Sequence, residues 1–261
     1  FGWSEEDYDL LASGTVAGHI IECGAQCSGG NFSRWHEVED ISNIGYPIVE
    51  MNSNGSFIVT KDSKFGGLVN QFTVSEQILY ELGDPQNYIS PDVVVDFTSI
   101  LIKDLGDNCV FVDGVVGKKP TDTFKVSINY QKGYKAIGQL TVSGPEAIKK
   151  GNLIEQVIWD RLSRKGLDYH KKKAEFIGYN SCHRGIYNES QDPSEIVLRI
   201  GVMDKNKDKV NEFGKEIAPL ITNGPPGVTG FSGGRPKAQN VIAYWPSLIS
   251  KKLIKTKVEL F

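Results

Sequence analysis

The sequence contains no apolar run approaching the roughly 18 residues that a membrane-spanning helix requires, so such a span is excluded. It opens Phe1-Gly2-Trp3-Ser4-Glu5-Glu6-Asp7, which is acidic and lacks the basic-then-apolar pattern of a secretory signal. It also lacks an initiator Met, which points to a fragment or a processed form. Cysteine is scarce: Cys23, Cys27, Cys109 and Cys182 are the only four in 261 residues. In a chain of this length without a secretory signal they are expected to be reduced thiols in a cytoplasmic protein. Sequons at Asn31, Asn54 and Asn188 are no more than chance supplies. There is no internal repeat, no low-complexity tract and no Walker spacing for a nucleotide loop.

Hydrophobic residues make up 39% and charged residues 23%, enough apolar material for one large core or two modest ones. Net charge is -3 but unevenly placed. Residues 1–100 carry 15 acidic and 3 basic side chains, and the remainder carries 17 and 26. Nucleic acid is an unsuitable partner for the acidic part, which repels phosphate. The basic part either complements the acidic one or faces an anionic ligand.

Periodicity predicts a helix over residues 6–22, with Leu10, Leu11, Val16, Ile20 and Ile21 apolar. Residues 47–51 and 56–60 flank Asn52-Ser-Asn-Gly55 and read as a hairpin. Thr73 and Glu76 form a capping-box pattern that opens a short helix to about Leu82. Strands are expected at 93–96, 99–103 and 108–113. A hairpin is expected at 123–130 and 134–142 around Gln131-Lys-Gly133. An amphipathic helix over 145–165 takes Ile148, Leu153, Val157, Ile158 and Leu162 as its apolar face. Strands near 174–179 and 195–202, a helix over 205–220 and a strand near 253–260 complete the chain. The fold class is mixed α/β (α+β). An α/β lobe with glycine-rich loops (1–118) precedes a lobe (119–261) with two helices on one face of an antiparallel sheet.

Four constellations carry candidate chemistry. In the first, His19, Glu22 and Cys23 fall within five residues at a helix end, before the loop Gly24–Gly30. An imidazole four residues from a thiol can favour thiolate and make a nucleophile. A helix C-terminus disfavours thiolate, and small cysteines in glycine-rich packing are commonly inert. His19 and Glu22 are the stronger candidates, for acid/base work or binding. Cys23, Cys27, His19 and His36 are zinc-compatible types, but their spacing matches no closed metal site, and no metal is expected. In the second, five carboxylates and two tyrosines lie between Glu76 and Asp96. Asp96, at the end of an apolar strand, reads equally as a ligand-edge carboxylate or a turn acceptor. The third is Lys61 with Gly66 and Gly67, a weak anion-cradle signal that Gly29 and Gly30 share. The fourth is the Gly224–Pro236 loop, where Arg235 among five glycines suits either a phosphate or a plain connection. His170 and His183, among charged and polar neighbours, are expected to be exposed and without a role.

The ordered string His19-Ile-Ile-Glu22-Cys23-Gly24, Gly29-Gly30-Asn31-Phe32, Ile44-Gly45-Tyr46-Pro47, Gly55-Ser56-Phe57-Ile-Val59-Thr60-Lys61, Gly66-Gly67, Glu76-Gln77-Ile-Leu79-Tyr80-Glu81-Leu-Gly83-Asp84-Pro85, Tyr88, Pro91-Asp92-Val93 and Asp96-Phe97 resembles the acyclic terpene utilisation protein A family over nearly the whole chain. Gly133-Tyr134 and the Gly224–Pro236 loop also fit it. The resemblance implies a setting in isoprenoid catabolism, beside enzymes that degrade geranyl- and citronellyl-coenzyme A. Some relatives are fused to acyl-coenzyme A carboxylase parts. It also implies a preceding α/β segment and a small following domain that this sequence does not contain, so a site spanning them would be incomplete here.

Two readings follow. In one, the protein acts on a branched acyl-coenzyme A or its acid. Asp96 or Glu22 is then the base, His19 the acid or orienter, and the Gly24–Gly30 amides are donors. The thioester is the ligand, and no separate cofactor is implied. In the other, it is a non-catalytic module docking on a carboxylase or another pathway enzyme. A homo-oligomer fits either.

Overall fold

The structure, a computed structural model, describes residues 1–183, 192–230, 233–257 and 259. The sequon at Asn188, residues 231–232 of the glycine loop, and Val258 and Leu260 of the expected last strand lie outside them. Among the described residues there are three antiparallel sheets and five helices, a mixed α/β fold. The chain divides into two compact units, Phe1–Lys125 with Leu248–Phe261, and Val126–Ser247. The sequence boundary after residue 118 falls inside the first.

Unit one contains α1 (Tyr8–Glu22), β1 (Pro47–Met51), β2 (Phe57–Lys61), α2 (Gln71–Leu79), β3 (Tyr88–Ile89), β4 (Val94–Asp96), β5 (Leu101–Gly106), β6 (Cys109–Asp113) and β7 (Val116–Lys118). They form sheets ordered β1-β2-β6-β5 and β3-β4-β7. The β1–β2 turn closes at Gly55, whose φ of 88° a side chain would resist. Helix α1 buries Ala12, Val16 and Ile20, four apart, with small Ser13 and Ala17 beside them. Ile21, expected inside, is exposed. Short side chains bring backbones together: a Cβ on Gly117 of β7 would lie 1.9 Å from the Tyr8 carbonyl oxygen. The helix cap also differs from expectation. Asn70, not Thr73, is the N-cap of α2; its Oδ1 accepts from the Phe72 and Thr73 amides. Glu76 is occupied elsewhere, accepting from the hydroxyl and amide of Ser33.

Unit two is built on β8 (Thr123–Ser143), which begins in unit one. It continues through α3 (Ala147–Arg164), β9 (Lys171–Ile177), β10 (Glu195–Asp204), α4 (Lys207–Ile217), α5 (Leu220–Asn223), β11 (Val228–Thr229) and β12 (Gln239–Ser250). Its sheet runs β11-β8-β10-β9, with β12 also on β8. The hairpin expected around Gln131–Gly133 does not form. β8 runs straight through Gly133, and only a glycine fits there, since a Cβ would stand 2.8 Å from the carbonyl oxygen of Asp204 at the end of β10. Among the described residues the last strand is β12 at 239–250, paired with β8; Lys251–Leu253 is a single 3₁₀ turn and residues 254–257 form no strand.

Alternate residues Ile196, Leu198, Ile200 and Val202 of β10 join Ala136, Leu140 and Val142 of β8 under the helices. The stripe of α3 that meets them is Ala147, Gly151, Ile154, Ile158 and Leu162, and Leu153 faces outward. Each fully buried aliphatic side chain contributes about 1.5–3 kcal/mol. Glu216 of α4 is buried and receives Arg161 Nε at 2.7 Å and Lys165 Nζ, both from α3. Burial alone would raise its carboxyl, but the two cations together hold it below the ordinary range. No helix among the described residues is long and apolar enough to cross a membrane.

Asp204 closes β10. It accepts from Lys209 Nζ at 2.8 Å, the Asn206 amide at 3.0 Å and the His170 amide at 3.3 Å. The Lys209 bond, then the Asn206 amide, bring its pKa from 3.8 to about 2. A depressed carboxyl stabilises the fold above its unfolded pKa and loses that contribution as pH falls through the folded value. Asp204→Asn is therefore expected to lower the melting temperature at neutral pH, with the gap to the parent closing between about pH 4 and pH 2. A gap independent of pH in melting curves across that window would contradict the assignment.

Candidate functional site

The C-terminal turn of α1 lies against α2 and the β3–β4 hairpin. His19 falls on the buried side of α1, three residues after Val16, and is 6% exposed. Its Nε2 donates to the Gln77 carbonyl at 2.9 Å, and the Gln77 side-chain amide returns a bond of 2.8 Å to the His19 carbonyl. A carbonyl only accepts, so in the neutral ring Nε2 carries the proton and Nδ1 presents a lone pair. Phe97 and Tyr88 wall the ring edge-on, with centroids at 5.4 and 6.1 Å. Glu22, one turn on, brings Oε2 to 3.7 Å from Nδ1, with its side chain mostly in solvent. That separation is an electrostatic contact rather than a hydrogen bond.

The two reciprocal bonds staple α1 to α2, and a structural histidine needs nothing more. Yet His19 Nδ1 and Gln77 Oε1 are both buried and without a hydrogen-bond partner. An unpaired buried polar atom costs about 1–3 kcal/mol, so two in contact with one staple call for a reason. A lone pair held in a fixed direction, beside an exposed carboxylate, can accept a proton and pass it outward.

The other predicted residues are placed as follows. Cys23 is the C-cap of α1 and half-buried; the nearby Tyr80 phenol is raised, by the Glu81 carboxylate first and then by burial. Cys27 is fully buried, and desolvation alone pushes its thiol up to about 12. Asp96 is half-buried and caps a 3₁₀ turn. Its Oδ1 accepts from the Thr98 hydroxyl at 2.5 Å and amide at 2.9 Å, which hold it below the ordinary range, with a smaller contribution from Lys118. No hydrogen bond joins it to His19 or Glu22 among the described residues.

The glycine loops are occupied inwardly. Gly29 and Gly30 donate to the Gln26 and Ala25 carbonyls, and Gly66 and Gly67 to those of Asn43 and Glu39. Lys61 Nζ donates to the Phe65 carbonyl at 2.7 Å. An anion cradle there would have to break these bonds. The glycines instead allow close packing: a Cβ on Gly66 would sit 2.4 Å from the Asp40 carbonyl oxygen. Arg235 belongs to unit two and is exposed. Among the described residues no group of three or more His, Cys, Asp or Glu is arranged for a metal ion. The cavity of about 620 Å³ in unit one, lined by Trp3, Glu6, Lys119, Phe124 and Lys251 among others, touches none of the predicted residues. Gln77 was missed as a partner. Its signal was a polar residue on the buried stripe of α2, between Val74 and Ile78.

Antiparallel sheets, inwardly closed glycine loops and one buried histidine beside an open carboxylate define a mixed α/β protein with a candidate acid/base pair. The chain belongs to the acyclic terpene utilisation family, described as acyclic terpene utilisation family protein AtuA, whose sequence model matches residues 1–260. No curated protein and no solved structure gives a significant match.

The tautomer is testable. Long-range proton–nitrogen NMR in alkaline buffer should show His19 protonated on Nε2 and bare on Nδ1; the opposite tautomer would break the Gln77 pairing. Thiol accessibility separates the cysteines. Brief alkylation of the folded protein with iodoacetamide should modify exposed Cys182 and spare Cys27. Peptide mapping that finds Cys27 modified as fast as Cys182 would contradict its burial.

Proposed function

We propose that the protein binds and processes a branched acyl-coenzyme A of the geranyl or citronellyl type, or the corresponding acid, in acyclic terpene catabolism. The family membership supports the setting. The observation that carries the chemistry is the buried His19 Nδ1, unpaired and 3.7 Å from Glu22. In this reading Gln77 orients the ring through Nε2, Nδ1 takes the proton, and Glu22 exchanges it with substrate or water. Glu22 is better placed than Asp96, whose Oδ1 is occupied by Thr98. Cys23, next to Glu22 and half-buried, is the alternative nucleophile. A coenzyme A ester as substrate is in keeping with a cytoplasmic activity, because its phosphates do not cross a membrane unaided.

One observation favours the second reading, a docking module for a carboxylase or another pathway enzyme. Val126, Ile128 and Tyr130 of β8 and Trp245 of β12 are all exposed, and apolar patches of that kind mark interaction surfaces.

The deciding experiment incubates the purified chain with geranyl- and citronellyl-coenzyme A and follows products by mass spectrometry. Acid/base groups contribute about 10²–10⁴ in rate. Glu22→Gln should lose activity in that range without a change in melting temperature, whereas Asp96→Asn should retain most of it. A fully active Glu22→Gln would remove the acid/base pair. A stoichiometric complex with a carboxylase subunit, and no turnover of either thioester, would establish the docking reading instead.

A further inference from the structure

Helices α3 and α4 cover one face of the unit-two sheet; on the other, Lys135, Ile137, Lys171 and Lys173 are exposed within the described residues of the unit. Pairing stacks its side chains in three rows across β8, β10 and β9. Lys135, Met203 and Lys171 share the first row, Ile137, Gly201 and Lys173 the second, and Gln139, Arg199 and Glu175 the third. Directly opposed residues lie about 5 Å apart and successive same-face residues about 7 Å apart. The three rows therefore make one continuous surface. Gly201, in the middle, has no side chain, which leaves a hollow between Ile137 and Lys173. A trough of about 600 Å³ opens there, with Ile137, Met203 and Val241 in its lining.

The charges on this surface are one-sided. Glu175 accepts from Lys173 and from Arg199, whose Nε is at 2.7 Å, and neutralises part of that pair. Lys135 and Lys171 have no acidic partner among the described residues. A second hollow, of about 380 Å³, shares Ile137 and adds Arg235 and Lys237. Lysines often guard a sheet's edge against pairing with another chain, and that would account for Lys171 and Lys173 on β9. It does not account for Lys135 and Arg199, which lie on interior strands and point to the same hollow. Nor does it explain why the floor between them is apolar.

We propose that this trough binds an amphipathic anion, with a hydrocarbon chain on Ile137, Met203, Val241 and the lysine stems, and a carboxylate or phosphate head on Lys135 and Lys171. An apolar floor removes the chain from water, and two unpaired ammonium groups fix the end that carries charge. The volume lies within the range of small-molecule sites. His170, expected to have no role, also lines the trough. The inference does not rest on the acid/base reading of His19 and Glu22, which belong to unit one.

The test is calorimetric titration and thermal shift of the full chain with four probes: decanoate, decyl phosphate, decanol and inorganic pyrophosphate. Two variants accompany the parent. Gly201→Leu fills the hollow; its Cβ would meet nothing closer than Ile137 Cγ1 at 3.7 Å, so the sheet accommodates it. The double variant Lys135→Glu with Lys171→Glu reverses the charge at exposed positions. Decanoate or decyl phosphate should bind the parent and raise its melting temperature. Each variant should weaken that binding by about tenfold or more, and decanol and pyrophosphate should bind the parent at least about tenfold more weakly. Comparable binding of decanoate and decyl phosphate assigns any anionic head; preference for one assigns the head group. Pyrophosphate binding as tightly as decyl phosphate would overturn the apolar floor, and decanoate binding unchanged in both variants would overturn the site. A chain inactive on thioesters that still binds decanoate in the trough would remove the acid/base reading alone.

Discussion

Strand β10 hydrogen-bonds to β8 on one side and to β9 on the other, and this double pairing removes its freedom of register. A one-residue slip would turn Ile196, Leu198, Ile200 and Val202 away from the helices and bring Arg199 and Met203 under them. Burial of the even positions therefore determines what the odd positions do. Arg199, Gly201 and Met203 face out because their neighbours must face in. The trough on the other face is a consequence of the core beneath it. Lys135 and Lys171 flank Met203 by the same rule that buries Val202.

Unit one depends on a different constraint, the close approach of α1 to two sheets. Ala12, Ser13 and Ala17 let it approach, and Gly117 admits the Tyr8 carbonyl. At that distance the polar side chains on the buried stripe have to find partners. Ser13 and His19 are the two on α1. His19 finds its partner across the helix interface in Gln77, and the match is incomplete by two atoms. Apolar packing by Tyr88 and Phe97 holds the ring in place, so the imidazole keeps its direction.

Much of the secondary structure was legible because the local signals were strong. Asn54-Gly55 closes a hairpin wherever apolar strands flank it, and α3 and α4 carry enough apolar periodicity to be found. The failures lie where two local readings competed. Asn70-x-x-Thr73 and Thr73-x-x-Glu76 are overlapping cap patterns, and Ser33, distant in sequence, takes Glu76 out of the contest. Gln131-Lys-Gly133 reads as a turn, but β8 runs straight through it, and the Asp204 carbonyl leaves room only for a glycine there. The candidate pair was half visible: His19 and Glu22 are neighbours in sequence, whereas Gln77 lies 58 residues from His19.

The sequence by itself determined the family, the mixed α/β class, the polar cluster at the end of α1 and the basic bias of the second half. These rest on composition, spacing and periodicity, which are properties of neighbours along the chain. Only the tertiary structure decided that the glycine amides bond inward, that His19 is sealed with one free nitrogen, and that Lys135, Lys171, Lys173 and Arg199 of unit two line one hollow. Hydrogen-bond satisfaction and strand register join residues far apart in sequence, and no local pattern records which distant atom occupies which donor.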